Sequence, residues 1–206
     1  MKNTIKTLCL SVIILTFSYC TKAQDAAVQS AFETSYALEK TGQYLKAANT
    51  IKSVYNESSY EINLRLGYLL YENASYRESS KYYKKAVEIK PNSVEARLGY
   101  VLPLAVLASW DTVKIQYENI LKIDPYNTTA NYRMGLIYYY KADNTTALPY
   151  FEKVYSIYPF DYDNTLMYAW TKLKLNKTAE AKTLFNIVLL IKPKDASALE
   201  GLKAIK

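Results

Sequence analysis

The chain has 206 residues, a formal net charge of +7, 22 tyrosines, two cysteines, five glycines and no histidine. The missing histidine removes the usual general base, the Ser-His and Cys-His nucleophile pairs and most transition-metal ligation. Five scattered glycines make no phosphate loop, and lysines interspersed with Glu and Asp make no basic block, so the expectation is a protein that is no enzyme, binds no cofactor or metal, and does not bind nucleic acid.

Residues 1–23 have the layout of a secretory signal peptide. Lys2 and Lys6 form a basic start, Leu8–Phe17 an apolar run, and Thr21-Lys22-Ala23 the small residues before a cut after Ala23. The apolar run is shorter than the roughly 20 residues a membrane span needs, so no span is expected in the mature chain. Cleavage removes Lys2, Lys6 and Lys22, taking the formal charge from +7 to +4, and removes both cysteines, Cys9 and Cys20. A domain without cysteine is indifferent to an oxidising compartment. Cys20 also stands where a lipoprotein signal would end, but Tyr19 before it is far bulkier than the small residue such signals carry.

Beyond residue 27 the chain repeats. Pro91, Pro125, Pro159 and Pro193 stand 34 residues apart. Twelve residues before each lie Ser79, Val113, Ala147 and Ala181; eight before lie Tyr83, Tyr117, Phe151 and Phe185; five before lie Ala86, Ile120, Val154 and Val188; twenty-four before lie Gly67, Val101, Gly135 and Ala169. Such a period means stacked units. Each reads as two helices at three- and four-residue spacing, with small residues where they touch and a polar break between them. The proline follows the second helix, which it cannot continue. Ser93, Asn127 and Asp161 then cap the next helix, and Asp124 and the Asp161–Asp163 pair read as caps, not catalytic carboxylates. Asp111-Thr112-Val113 reads as a helix N-terminus with Asp111 as its cap; as an O-glycan acceptor at Thr112 it is a weak three-residue match.

This pattern resembles the tetratricopeptide repeat family. Leu66-Gly67, Met134-Gly135, Tyr76…Ser79…Tyr83…Ala86…Pro91 and Ala147…Phe151…Val154…Pro159 carry the likeness. It implies an all-α, right-handed superhelix of about five units (28–59, 60–93, 94–127, 128–161 and 162–195) and a capping helix at 196–206, together forming one domain over 24–206. The first unit keeps Gly42-x-Tyr44-x-x-Ala47 but is two residues short, with Ser59 in the proline's place. The third is expected to be irregular: Val101 and Val113 replace smaller residues, and Pro103 crowds the carbonyl of Gly99, predicting a kink or shifted helix pair near 99–103. In the cap, Ala198, Leu199, Leu202 and Ile205 are expected to share the buried face.

In this family the first helices line a groove that holds partners. Counting from the prolines puts Leu64, Tyr68 and Tyr71, then Tyr132 and Tyr139, then Trp170 in groove slots, with Glu61, Glu95 and Asp163 along an edge; Phe32, Tyr36 and Glu39 align from the first unit. The candidate binding residues are Tyr36, Tyr68, Tyr71, Tyr132, Tyr139, Tyr140 and Trp170. Amphipathic rings of this kind are enriched at binding surfaces. The expected function is a non-catalytic scaffold for a protein or peptide of the cell envelope, with acidic-tailed partners repelled by Glu61 and Glu95; the alternative is a module stacking a carbohydrate or cell-wall fragment on the rings. The Lys-Ala-Gln-Asp signal ending resembles exported proteins of the Bacteroidetes group, implying the periplasm or envelope of a Gram-negative bacterium, with an outer-membrane lipoprotein through Cys20 the lesser alternative.

Overall fold

The computed structural model describes residues 25–205, and these form eleven α-helices with no strand among them. The expected signal peptide, its expected cut after Ala23 and Cys20 lie outside the described residues. In chain order the helices are α1 (25–39), α2 (Tyr44–Lys52), α3 (Tyr60–Glu72), α4 (Tyr76–Ile89), α5 (Val94–Val106), α6 (Trp110–Ile123), α7 (Thr128–Tyr140), α8 (Asn144–Ile157), α9 (Tyr162–Lys174), α10 (Thr178–Ile191) and α11 (Ala196–Ala204). None is long and apolar enough to cross a membrane.

The helices start in register. The odd-numbered helices from α3 onward begin at Tyr60, Val94, Thr128, Tyr162 and Ala196, 34 residues apart. Each is preceded by an N-cap whose side chain accepts from a backbone N–H three residues on: Ser59 from Ile62, Ser93 from Ala96, Asn127 from Ala130, Asp161 from Asn164 and Asp195 from Ala198. These caps satisfy donors that the first turn leaves without partners. Ser59 is therefore a cap and not the proline's stand-in. The residue 34 before Pro91 is Glu57, and its carbonyl behaves as the proline carbonyls do. Asn63 Nδ2 donates to Glu57 O at 3.1 Å, Arg97 Nη2 to Pro91 O at 2.7 Å and Asn131 Nδ2 to Pro125 O at 3.0 Å. A side chain six residues on thus ties down each of these three junctions. Asp111 lies in the first turn of α6, whose N-cap position is held by Ser109.

Within each helix pair the turn needs one residue in the left-handed region. Gly42, Ala74, Ala108, Ala142 and Asn176 hold it, with φ between 54° and 72°. Two backbone bonds close such a turn: at Ala74 its N–H donates to Tyr71 O (2.9 Å) and the Ser75 N–H to Leu70 O (2.8 Å). Only Gly42 adopts this φ without a β-carbon penalty.

The described chain divides into two compact units, one ending at Ala108 and one beginning at Ser109. The boundary falls in the turn of the third repeat, the repeat with Val101 and Val113 in its small-residue slots. In the first unit, α3 packs on α2, α4 and α5, burying Ala47, Ala48, Ile51, Ile62, Leu66, Leu69 and Leu70. Ser79 Oγ donates to Gly67 O at 2.7 Å, a directional link between α3 and α4. Helix α5 runs unbroken through the buried Pro103. Gly99 serves the fold differently from what the sequence suggests: a β-carbon there would collide with the ring of Tyr83.

In the second unit, α8, α9 and α10 enclose Phe151, Tyr168, Ala169, Ala181, Leu184, Phe185 and Val188, and α11 closes the row with Ala198. Gly201 takes the ring of Phe185 as Gly99 takes that of Tyr83. Leu202 and Ile205 pack on this core, while Leu199 is exposed. The buried face of α11 is therefore Ala198, Gly201, Leu202 and Ile205, because the helix turns Leu199 away once Gly201 is seated on the ring.

Candidate protein-binding cleft

In the first unit, first-helix side chains surround a cleft of about 440 Å³ lined by Phe32, Tyr36, Tyr60, Glu61, Leu64, Arg65, Tyr68, Tyr83 and Glu95. Helical spacing assembles it. Tyr60, Leu64 and Tyr68 recur every four residues along one face of α3, and Phe32 and Tyr36 do the same on α1. Glu95 reaches the cleft from the first turn of α5.

At its base Arg65 is buried, 7% exposed. Its Nη1 stands 2.6 Å from Glu39 Oε2, Nε and Nη2 donate to Ser35 Oγ at 3.2 and 3.0 Å, and its guanidinium lies 3.9 Å from the centre of the Tyr36 ring. Planar stacking with several fixed donors is what guanidinium does better than ammonium. Tyr68 completes the cluster by donating its hydroxyl to Glu39 Oε1 at 2.8 Å. That hydrogen bond, with burial second, pushes the Tyr68 hydroxyl up to about 12. Burial works to raise the Glu39 carboxyl, but the bonds from Tyr68 and Arg65 and the Arg65 charge outweigh it, so it lies below the ordinary value. At neutral pH Glu39 is therefore a carboxylate and the Tyr68 hydroxyl keeps its proton.

The mouth is acidic. Glu61, lowered by its own backbone hydrogen bond and then by Lys90, pairs with Lys90 Nζ at 3.1 Å. Tyr60 donates its hydroxyl to Glu95 Oε2 at 3.0 Å and lies 2.7 Å from Ser93 Oγ. Burial is the largest cause raising the Tyr60 hydroxyl.

Of the sequence candidates, Tyr36 and Tyr68 come together here. Tyr36 is 51% exposed. Tyr71 is half-buried and tilted against Tyr76 at 5.6 Å. The others belong to the second unit. Tyr132 sets its edge on Phe151 at 6.1 Å, Tyr139 is half-buried edge-on to Tyr140 at 5.7 Å, and Tyr140 is 77% exposed. Trp170 is half-buried edge-on to Phe185 at 5.2 Å, its Nε1 donating to Ser197 Oγ at 2.9 Å. Tyr60, Arg65 and Tyr83 are the cleft residues that counting along the sequence does not place there.

Paired helices in 34-residue register, with rings projecting from the first of each pair, define a helical-repeat protein that works by presenting a surface. Two family models, each described as tetratricopeptide repeat, match residues 60–93 and 140–205. The chain thus carries tetratricopeptide repeats over these residues, which supports a protein-interaction scaffold. It is similar in fold to a tetratricopeptide repeat protein from Parabacteroides merdae ATCC 43184, with 19% identity and a TM-score of 0.74 over 85% of this chain and 71% of that one. It is also similar to MamA, with 18% identity and a TM-score of 0.70 over 82% and 94%, and to MamA from Desulfovibrio magneticus RS-1, with 15% identity and a TM-score of 0.69 over 81% and 95%. No curated protein matches the sequence.

Proposed function

We propose that this chain is a non-catalytic, exported scaffold that holds a protein or peptide of the cell envelope on the aromatic side chains of its first helices. The observation that carries the reading is the cleft at Tyr36, Leu64 and Tyr68: concave, ring-lined, and braced from beneath by the Arg65–Glu39 pair. A surface braced in this way needs little reordering on binding, which lowers the entropic cost of association. Export rests on the layout of residues 1–23.

A carbohydrate-binding module is the second reading, favoured by the exposed ring of Tyr140 beside Tyr139. Affinity capture from envelope extract with the full chain separates the two. Tyr36→Ala is expected to reduce recovery of the captured protein, since aromatic anchors can contribute about 2 kcal/mol or more, with Tyr140→Ala leaving it unchanged. Capture indifferent to Tyr36 but lost with Tyr140, and competed by soluble cell-wall glycans, would favour the second reading.

A further inference from the structure

The charges around the cleft say more about its occupant than the rings do. Arg65 offers little to an incoming anion: it is buried, its charge is matched by Glu39, Ser35 takes two of its other N–H groups and the Tyr36 ring covers its face. Two exposed carboxylates remain on the lining, Glu61 and Glu95. Glu61 shares Lys90, but that pair is open to solvent on both sides, the kind that is easily exchanged. Glu95 has no cation within ion-pair distance among the described residues, and the Tyr60 hydroxyl holds one of its oxygens in place.

Building on the scaffold reading above, we infer that the cleft takes a lysine or arginine side chain from an extended partner segment, with its aliphatic stem on Phe32, Leu64 and Tyr68 and its charged head at Glu61 and Glu95. Long basic side chains lie this way by preference, stem on apolar surface and charge at the rim, and ring faces add to the attraction for the cation. The chain as a whole argues against a diffuse effect. Its formal charge is +7, and still +4 without residues 1–23, so its overall field repels a basic segment. The attraction must arise locally, within the roughly 8 Å over which charges act at physiological salt. A segment carrying aspartate or glutamate meets two carboxylates and no available cation on the lining.

The test uses the full chain and a dye-labelled, end-blocked octapeptide of alternating leucine and lysine, read by fluorescence anisotropy. Peptides with glutamine or glutamate in place of lysine are the comparison. The lysine peptide is expected to bind about tenfold tighter than the glutamine peptide, and the glutamate peptide more weakly still. Glu95→Gln and Glu61→Gln together should erase the gap between lysine and glutamine peptides, with helix content unchanged by circular dichroism. Asp163→Asn is the control, since Asp163 holds the same repeat slot in the second unit. Equal binding of all three peptides overturns the cationic preference and leaves the scaffold reading standing. A gap that survives the double substitution, or closes with Asp163→Asn, overturns the assignment to Glu61 and Glu95. Binding of none of them overturns the cleft, and with it the reading beneath.

Discussion

The ring of Tyr83 lies so close on Gly67 that a β-carbon at residue 67 would stand 2.7 Å from its Cγ. Gly99, one repeat further on, meets the same ring from its own side. One side chain thus seats itself in notches on α3 and α5. Gly67→Ala is expected to destabilise the chain by about 1–3 kcal/mol, the usual cost of overpacking a tight contact. In a Tyr83→Leu background the same change should cost clearly less, because the pair is coupled through contact. Thermal melting of the four variants measures this; equal costs in both backgrounds would show that the ring is not what Gly67 accommodates.

The left-handed turn residues give a prediction of opposite sign. Ala142 sits at φ 59°, a conformation costing an L-residue about 1–2 kcal/mol. Ala142→Gly removes that strain and costs about 0.4–1 kcal/mol through the more flexible unfolded chain. A net gain, read as a higher Tm, is expected. Gly42→Ala should lower it, although nothing lies within 4 Å of its added carbon. A fall in Tm for Ala142→Gly would refute the balance.

Asp195 makes stability pH-dependent at the acid end. The Ala198 N–H foremost, then the Tyr162 hydroxyl and Lys192, hold its carboxyl at about 2. A carboxyl depressed in the folded state stabilises fully above its unfolded value of about 4 and loses that contribution as pH falls toward 2. Asp195→Asn keeps an acceptor at the cap and removes the charge. Its melting temperature should fall less steeply than that of the parent between about pH 4 and pH 2. Parallel acid limbs would show that Asp195 is not the group responsible.

Much of this could be read from sequence because a 34-residue period transmits position. Once Pro91, Pro125, Pro159 and Pro193 are aligned, the starts of α5, α7 and α9 follow. The period breaks where the first unit is two residues short, and there Ser59 falls in the proline's place by sequence although it is the cap. Arg65 escaped for a different reason. A lone arginine among leucines reads as solvent-facing, and the partners that bury it, Ser35, Tyr36 and Glu39, come from another repeat. Periodicity says which slot a residue fills; it does not say that two slots in neighbouring repeats hold complementary charges. For the same reason spacing alone puts Leu199 on the buried face of α11, since only the seat of Phe185 on Gly201 reveals the rotation of that helix.

Removal of residues 196–206 should expose Phe185 and lower the melting temperature or cause aggregation, as loss of an end cap does in stacked repeats. A truncated chain that stays monomeric with the parent's Tm would deny α11 that role.

The contact between Trp170 and Ser197 gives the molecule an optical reporter of its own. The chain has two tryptophans. Trp110 is 60% exposed and should emit as an indole in water whatever the state of the chain end. Trp170 is edge-on to Phe185 and donates its indole N–H to the first turn of α11, so undocking that helix would wet it and shift its emission to the red. With Trp110→Phe, the fluorescence of the remaining indole would follow the attachment of α11 alone. The fraying of one helix could then be followed separately from the unfolding of the rest of the chain.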